Sequence, residues 1–448
     1  MTDRLPPGPY KTLSLTDGTA IPFYIIPFDK EGRCEGPATR AHLIDAVRDG
    51  SFTDIYLFSH GWNDDWSAAT ERYESFIGGY MKMRSDRGLP APAPYRPLLV
   101  GIFWPSTALV FGEKEKGPGF AGAGVPDAGV AAERREVAEI AAALPDEHVE
   151  RFYELAQKPA LGEAEALELA RIALTLPAQG GDEITDEVSS PEDLVRLWKL
   201  VPPVDENGGK APAEPKGDDD FGTADAAGGP QAAGVFDFLD PRLLIRLFTA
   251  WQMKDRAGVV GFRGVGPLLR ELLAAGQARL HLIGHSYGGK VLLSATASAE
   301  LPRPVETMLL LEPAVSHLCF ADRVPSTDRP GGYRSVLSRV RKPILSTFSS
   351  RDIPLTVVFH LAVRRADDLG ELRIAAEGEP PSKFAALGGY GPRHAGEQLV
   401  DIKDPLDRYA LPMDGPRIYG LRGDRTIGGH GDISNESTWW ALYNLVSA

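Results

Sequence analysis

The sequence predicts an α/β fold with a mostly parallel sheet and helices on both faces. Short, continuous apolar runs are typical of strands buried on both faces, and segments with helical spacing of apolar residues separate them. One such run leads through Gly284-His-Ser-Tyr-Gly288 directly into a helix-like stretch. A third observation is a long middle segment of different composition, which predicts a large helical cap inserted into this fold.

The predicted strands and helices follow one another along the chain. Residues 12–15 and 21–28 are β-prone runs on either side of the turn signal Asp17-Gly18, which predicts an edge hairpin. Buried strands are predicted at 55–59, 97–103, 279–283, 306–311, 343–348 and 417–421. Helices are predicted at 67–83, 241–253 and 436–446.

The middle of the chain divides the predicted core into two parts, residues 1–106 and 235–448. About 170 residues separate Ser106 from the strand at 279–283, whereas a crossover between parallel strands needs only a few tens. Residues 107–234 are therefore assigned to a cap insertion.

Within this insertion, residues 131–175 and 187–201 are rich in Ala, Glu, Leu and Arg at helical spacing, which predicts cap helices. Residues 203–234 are mostly Asp, Gly, Pro, Ala and Lys, which predicts a flexible tether. The insertion is either a lid over the substrate or a helical addition unrelated to catalysis.

Composition limits the partners and the compartment. The formal charge is -14 with no basic cluster, which argues against nucleic acid and anionic membrane surfaces as partners. The start of the chain lacks a basic segment followed by an apolar one, and no eighteen uncharged apolar residues run together. Cys34 and Cys319 have no CxxC spacing. We expect a cytoplasmic protein without a membrane span, and secretion by a route that needs no N-terminal signal is the alternative.

Ser286 lies at a predicted sharp turn between the strand-like run 279–283 and the helix-like run 290–295. Gly284 and Gly288 remove side chains that would clash where such a strand and helix approach each other. We therefore expect the Ser286 hydroxyl to project above the sheet in a nucleophile elbow.

A serine hydroxyl is a weak nucleophile until a neutral imidazole, oriented by a carboxylate, removes its proton. In a sheet of this topology both partners follow the serine, and His360, His394 and His430 come late enough. His430 is favoured because it lies in a Gly-rich loop between the last predicted strand and the terminal helix. His360 lies in an apolar run, and His394 lies in a polar loop with no preceding strand.

Two carboxylates compete for the role of the acid. Asp352 follows the strand at 343–348 and is favoured, because catalytic groups collect at the carboxyl ends of parallel strands. Glu312 ends the preceding strand and is the alternative acid. Asp424 and Asp432 are nearer to His430 in sequence, but such residues more often serve in turns or caps.

The stretch His60-Gly61-Trp62 ends an earlier strand, where a loop supplies the second oxyanion donor in folds of this kind. The backbone N–H groups of Trp62 and Tyr287 are therefore the predicted oxyanion hole. The His-Gly pair is also compatible with a turn that has no catalytic role.

Taken together, the motifs resemble the α/β-hydrolase superfamily. The resemblance rests on His60-Gly61, Trp104-Pro105-Ser106, the Gly284–Gly288 motif, Asp352 and His430, and it covers residues 50–106 and 235–448. Trp-Pro-Ser is also similar to a motif in a bacterial subgroup of uncharacterised serine hydrolases. The long insertion departs from the minimal family pattern and leaves the substrate open.

The resemblance implies a carboxylesterase or lipase-like serine hydrolase that acts on a small-molecule ester or acyl substrate. The reaction would pass through an acyl-enzyme and need no metal or organic cofactor. Thioesters, amides or an acyl acceptor other than water are alternatives on the same residues. A catalytically silent binding protein of this fold is an alternative from another class. The oligomeric state is not predicted.

Overall fold

The computed structural model describes most of the chain outside the middle segment, namely residues 7–14, 20–62, 64–91, 94–106, 137–138, 140–176, 190–192, 194–195, 239, 241–298, 300–325, 327, 329–352, 354–359, 380 and 385–447. Contacts divide the chain into two compact units. The first comprises Met1–Ala108, Ala178–Glu187 and Ala250–Ala448, and the second comprises Leu109–Pro177 and Val188–Thr249.

A nine-stranded sheet forms the centre of the first unit. Its strands are β1 (Lys11–Ser14), β2 (Ala20–Pro27), β3 (Asp54–Ser59), β4 (Pro97–Phe103), β5 (Arg279–His285), β6 (Thr307–Leu311), β7 (Ile344–Phe348), β8 (Gln398–Asp401) and β9 (Ile418–Arg422). They are ordered β1-β2-β4-β3-β5-β6-β7-β9-β8. Only the edge strand β1 is antiparallel to its neighbour, whereas every other pairing is parallel. The α/β class and the edge pairing of β1 with β2 are confirmed.

Ten α-helices have defined bounds within the described residues. They are α1 (Pro37–Arg48), α2 (Trp66–Asp86), α3 (Asp146–Ala156), α4 (Glu163–Ala173), α5 (Pro241–Val259), α6 (Gly266–Ala275), α7 (Tyr287–Ser298), α8 (Val336–Arg339), α9 (Leu387–Tyr390) and α10 (Glu436–Ser447). Two π-helical segments, Val260–Val265 and Pro354–Val358, follow α5 and β7. No helix of this described part is long and apolar enough to cross a membrane.

Apolar side chains cover both faces of the sheet because consecutive strand residues point to opposite sides. Leu57 of β3 packs in one hydrophobic cluster with residues of α1, α6 and α7. Its neighbours Tyr56 and Phe58 pack in a second cluster with α2 and α10. Burial of all three side chains is complete. This two-sided burial explains why the central strands are apolar without alternation.

The second unit contains two amphipathic helices, α3 and α4, within the region where cap helices were expected. Arg151 of α3 donates two hydrogen bonds to the carboxylate of Glu168 in α4, at 2.9 and 2.7 Å. Helices are thus confirmed for this part of residues 131–175. The tether at 203–234 and most of the helix expected at 187–201 lie outside the described residues.

A buried polar chain crosses the amino-terminal end of the sheet. Arg279 donates to both carboxylate oxygens of Asp54 at 2.7 and 2.8 Å. The Nε2 atom of His281 donates to Asp54 Oδ1 over 3.1 Å, and its Nδ1 atom lies 2.9 Å from the Thr307 hydroxyl. Burial raises the pKa of Asp54, but the hydrogen bonds from His281 and Arg279 outweigh it and lower this pKa to about 2. The chain Asp54–His281–Thr307 therefore ties β3, β5 and β6 together.

Candidate active site

Ser286 forms the turn between β5 and α7. Its φ of 55° lies in the left-handed region, which is unfavourable for a residue with a side chain. A Cβ added at Gly284 would lie 2.7 Å from the Cα of Gly289, and one at Gly288 would lie 2.1 Å from the Ser59 carbonyl oxygen. The close approach of strand and helix expected from the two glycines is confirmed.

Ser286, His430 and Asp352 form a continuous hydrogen-bonded chain, although 144 positions separate the serine from the histidine. The Oγ atom of Ser286 lies 2.8 Å from Nε2 of His430, and Nδ1 of His430 lies 2.6 Å from Oδ2 of Asp352. Because a carboxylate only accepts, Nδ1 carries the proton and Nε2 is left to accept from the serine. Asp352 is fully buried, whereas the His430 side chain is 26% exposed.

The loop after β7 is fixed on several sides around Asp352. The backbone N–H of Leu355 donates to Asp352 Oδ1 over 3.0 Å. The Ser349 hydroxyl donates to the Ile427 carbonyl over 3.1 Å, which links this loop to the loop that carries His430. The carboxylate and the imidazole are therefore held by connected backbone segments.

Asp424 and Asp432 serve as backbone acceptors. Asp424 Oδ1 accepts from the N–H of Ser350 over 2.7 Å, and Asp432 Oδ2 accepts from the N–H of Gly428 over 2.9 Å. The turn roles expected for these two residues are confirmed.

Glu312 lies beside the same chain but is not the hydrogen-bond partner of the imidazole. It is fully buried, and its φ of 44° is also left-handed. Burial, followed by the negative charge of Asp352, raises the pKa of Glu312 well above its ordinary value. The structure thus places both predicted carboxyl groups at the site and brings only Asp352 within hydrogen-bond distance of His430.

Among the described residues, one group of side chains is close enough together to be considered as a metal site. One carboxylate oxygen of Glu312, one of Asp352 and one ring nitrogen of His430 all lie within 4.8 Å of one another. The 2.6 Å contact between His430 and Asp352 has the length of a charge-assisted hydrogen bond. Metal ligands must be deprotonated, and the raised pKa of Glu312 disfavours that form. The group therefore fits acid–base chemistry better than a metal centre.

His60 shapes the loop that runs beside Ser286. Its Nδ1 atom donates to the Gly61 carbonyl over 2.8 Å, and its Nε2 atom accepts from the N–H of Trp104 over 3.3 Å. The Trp104 indole N–H in turn donates to the His60 carbonyl over 3.1 Å, and the two rings stack. Burial lowers the pKa of His60 to about 4, so the ring is neutral at pH 7. The motif Trp104-Pro105-Ser106 thus holds the loop that follows β3.

The two predicted oxyanion donors belong to segments on either side of Ser286. A Cβ added at Gly61 would lie 2.8 Å from the Ser286 Cβ, so the loop before Trp62 passes directly against the serine. Tyr287 begins α7 directly after the serine, and its ring lies 6.2 Å from the ring of Trp62. The assignment of the Trp62 and Tyr287 N–H groups to an oxyanion hole stays a prediction.

His285 is a site residue that sequence reasoning missed. Its Nε2 atom donates to the carbonyl oxygen of His430 over 2.7 Å, and the two rings lie 4.9 Å apart. Burial lowers the pKa of His285 well below its ordinary value, so the ring remains neutral. Its position directly before Ser286 could have indicated this role, because the last residue of β5 lies at the same edge of the sheet as the serine.

Of the other two late histidines, only His394 belongs to the described residues, and it is not part of this hydrogen-bonded chain. His394 is exposed with a φ of 60°, and its carbonyl accepts from the N–H of Asp322 over 2.7 Å. His360 lies outside the described residues.

No family model, curated protein or solved structure matches this chain. The class that the fold defines is an α/β protein with a nine-stranded, mostly parallel sheet. The chemistry must be argued from the arrangement of Ser286, His430 and Asp352.

Proposed function

We propose that this protein is a serine hydrolase of the α/β-hydrolase type, which cleaves carboxylic esters through an acyl-enzyme on Ser286. The observation that carries the proposal is the position of Ser286. It lies in a left-handed turn between β5 and α7, with Oγ 2.8 Å from a histidine nitrogen that can accept its proton. In the α/β-hydrolase fold the nucleophile has this setting, and the acid and then the base follow it in the chain.

In the proposed first step, Nε2 of His430 takes the hydroxyl proton while Oγ of Ser286 attacks the ester carbonyl carbon. The carbonyl electron pair moves onto oxygen to give a tetrahedral intermediate. When this intermediate collapses, the bond to the alcohol breaks and His430 gives its proton to the departing oxygen. Asp352 stays ionised throughout and stabilises the imidazolium that forms between the two transfers.

The second step regenerates the enzyme. A water molecule attacks the acyl carbon as His430 removes one of its protons, and the acid product leaves when that proton returns to Oγ of Ser286. The N–H groups of Trp62 and Tyr287 are the proposed donors to the negative oxygen in both intermediates. Loss of one such donor typically costs about a hundredfold or more in turnover.

A fluorophosphonate probe tests this proposal, because it reacts covalently with an activated serine. Labelling and hydrolysis of p-nitrophenyl acetate are expected for the wild-type protein. Both should be lost in Ser286→Ala, with turnover reduced by a factor on the order of 10⁴ to 10⁶. The matched control is Thr307→Val, which removes the hydroxyl of the other Asp–His–hydroxyl chain.

The control variant should label and turn over like wild type. Labelling retained in Ser286→Ala, with peptide-mapping mass spectrometry placing the adduct on another residue, would reject Ser286 as the nucleophile. A wild-type protein that neither labels nor turns over graded p-nitrophenyl esters would favour a silent binding protein.

A further inference from the structure

Glu312 is a buried carboxyl group without a donor. Neither of its side-chain oxygens is accessible to solvent, and no hydrogen-bond donor of the described residues reaches either oxygen. Burial of an ionised carboxylate without a donor or a cation is strongly unfavourable. An apolar residue of similar size, such as leucine, would fill such a position at less cost, so the carboxyl group requires an explanation.

The charged groups that face Glu312 are predominantly negative. Asp352 lies on the loop after β7 and Asp432 on the loop after β9, and the negative charges of both disfavour ionisation of Glu312. The third neighbour is the His430 ring, whose Nδ1 proton is already donated to Asp352. Two carboxyl groups that share a site do not both ionise, so one of them retains a proton.

The hydrogen bonds decide which carboxyl group keeps that proton. Asp352 accepts hydrogen bonds from the Leu355 N–H and from His430, so both of its oxygens already serve as acceptors. Glu312 accepts from neither of them. A protonated Glu312 has one O–H to donate, and the group beside it that can accept is the carboxylate of Asp352.

We infer that Glu312 is a neutral carboxylic acid that donates a hydrogen bond to Asp352 and thereby positions the partner of His430. This inference extends the proposed function and rests on it. Glu312 is a positioning residue in this assignment, because it acts on the imidazole only through Asp352.

The backbone around Glu312 is fixed as this role requires. The N–H of Glu312 donates to the Thr347 hydroxyl in β7 over 3.0 Å. A Cβ added at Gly388 would lie 2.4 Å from the carbonyl carbon of Glu312, so α9 packs directly against this backbone. Contacts from two neighbouring elements therefore hold the residue in its left-handed conformation.

Two variants at position 312 distinguish a hydrogen-bond donor from a residue that only fills space. Glu312→Gln keeps an N–H donor for Asp352, and its turnover of p-nitrophenyl acetate should stay within about tenfold of wild type. Glu312→Leu fills a similar space without a donor, and its kcat should fall by about tenfold or more at unchanged KM, since a hydrogen bond to a charged group is lost. Equal impairment of both variants would overturn the inference, as would an unimpaired Glu312→Leu enzyme.

The proton on Glu312 can be tested without any activity. The unfolded chain releases this proton above about pH 4.3, while the folded protein retains it. At this group the native state then binds more protons than the unfolded state, so the contribution of Glu312 to the free energy of unfolding falls as pH rises. Glu312→Gln has no carboxyl group at this position and lacks this decrease in stability. The Tm of Glu312→Gln minus the Tm of wild type should therefore increase from pH 5 to pH 8.

The exposed substitution Glu300→Gln serves as the control, because its carboxyl group lies in water in both states. A Tm difference between Glu312→Gln and wild type that does not change with pH would overturn the neutral carboxyl group. If the wild-type protein neither labels nor turns over esters, the proposed function fails, and the Tm series still decides whether Glu312 is protonated. If Glu312→Leu does not fold, Glu312→Gln alone decides through both measurements.

Discussion

The sheet carries two Asp–His–hydroxyl chains, one at each end of its strands. Asp54, His281 and Thr307 at the amino-terminal end are all completely buried. At the carboxyl-terminal end, His430 is partly exposed between Asp352 and Ser286. The same three kinds of side chain thus form a structural tie in one place and a candidate catalytic site in the other.

The backbone explains the difference between the two hydroxyl groups. Thr307 is the first residue of strand β6, paired in register with His281, so its side chain is fixed between strands. Ser286 lies beyond the end of β5 in a left-handed turn, with a glycine loop directly against it. The exposure of the histidine and the backbone conformation of the serine, rather than the set of residues, distinguish the candidate site from the structural chain.

Asp352→Asn is expected to cause the largest loss of activity, and it tests whether only one of the two Asp–His–hydroxyl chains is catalytic. The amide can leave His430 in the wrong tautomer, so kcat/KM for p-nitrophenyl acetate should fall by a factor on the order of 10⁴ while the protein stays folded. The matched variant Asp54→Asn changes the other chain and should leave kcat/KM per folded molecule unchanged. An Asp352→Asn enzyme of wild-type activity would show that the chain containing Asp352 is not catalytic.

Gly61→Ala should lower turnover less than Asp352→Asn does. This variant tests the role of the loop beside Ser286. The added Cβ would lie 2.8 Å from the Ser286 Cβ and 3.0 Å from Nδ1 of His285, so the loop must shift. Displacement of about 1 Å can lower turnover about a hundredfold. Gly78→Ala is the control, because a Cβ added there meets no atom within 4 Å. Equal rates of fluorophosphonate labelling in the two variants would contradict a role for this loop.

The smallest expected effect concerns stability alone and belongs to Asp54. Its folded-state pKa of about 2 lies below that of an unfolded aspartate, so its stabilisation is present above about pH 4 and is lost as pH falls through about 2. Asp54→Asn should lower the free energy of unfolding by about 2 kcal/mol at pH 7. Urea unfolding at several pH values measures this difference, which should shrink on acidification; a constant difference would contradict the ionic account.

The sheet was largely predictable because its central strands are continuous apolar runs. Strand β8 was missed, since Gln398–Asp401 is short and has no buried residue. Helix α1 was also missed; only four of its residues are buried, and its Gly36 cap makes no side-chain hydrogen bond. Weak burial leaves a weak pattern in such elements, and contacts with the rest of the fold determine their structure.

At the site, sequence placed Ser286 and His430 in suitable loops but left two carboxyl groups open. Glu312 and Asp352 follow adjacent strands, β6 and β7, so chain position alone does not decide which one meets the imidazole. The 2.6 Å contact to Asp352 distinguishes them. The hydrogen bond from His285 to the His430 carbonyl could not be predicted from the sequence either, because it depends on how a distant loop folds over the sheet.

Ser286 and Glu312 follow the ends of neighbouring strands, and both have positive φ values without being glycine. Each such residue costs on the order of 1–3 kcal/mol, and glycine at either position would relieve that strain. The chain therefore gives up folding stability at two adjacent points to retain a hydroxyl and a carboxyl group. A search for more stable variants of this protein would tend to replace these residues first, and the chemistry proposed for the site would be lost with them.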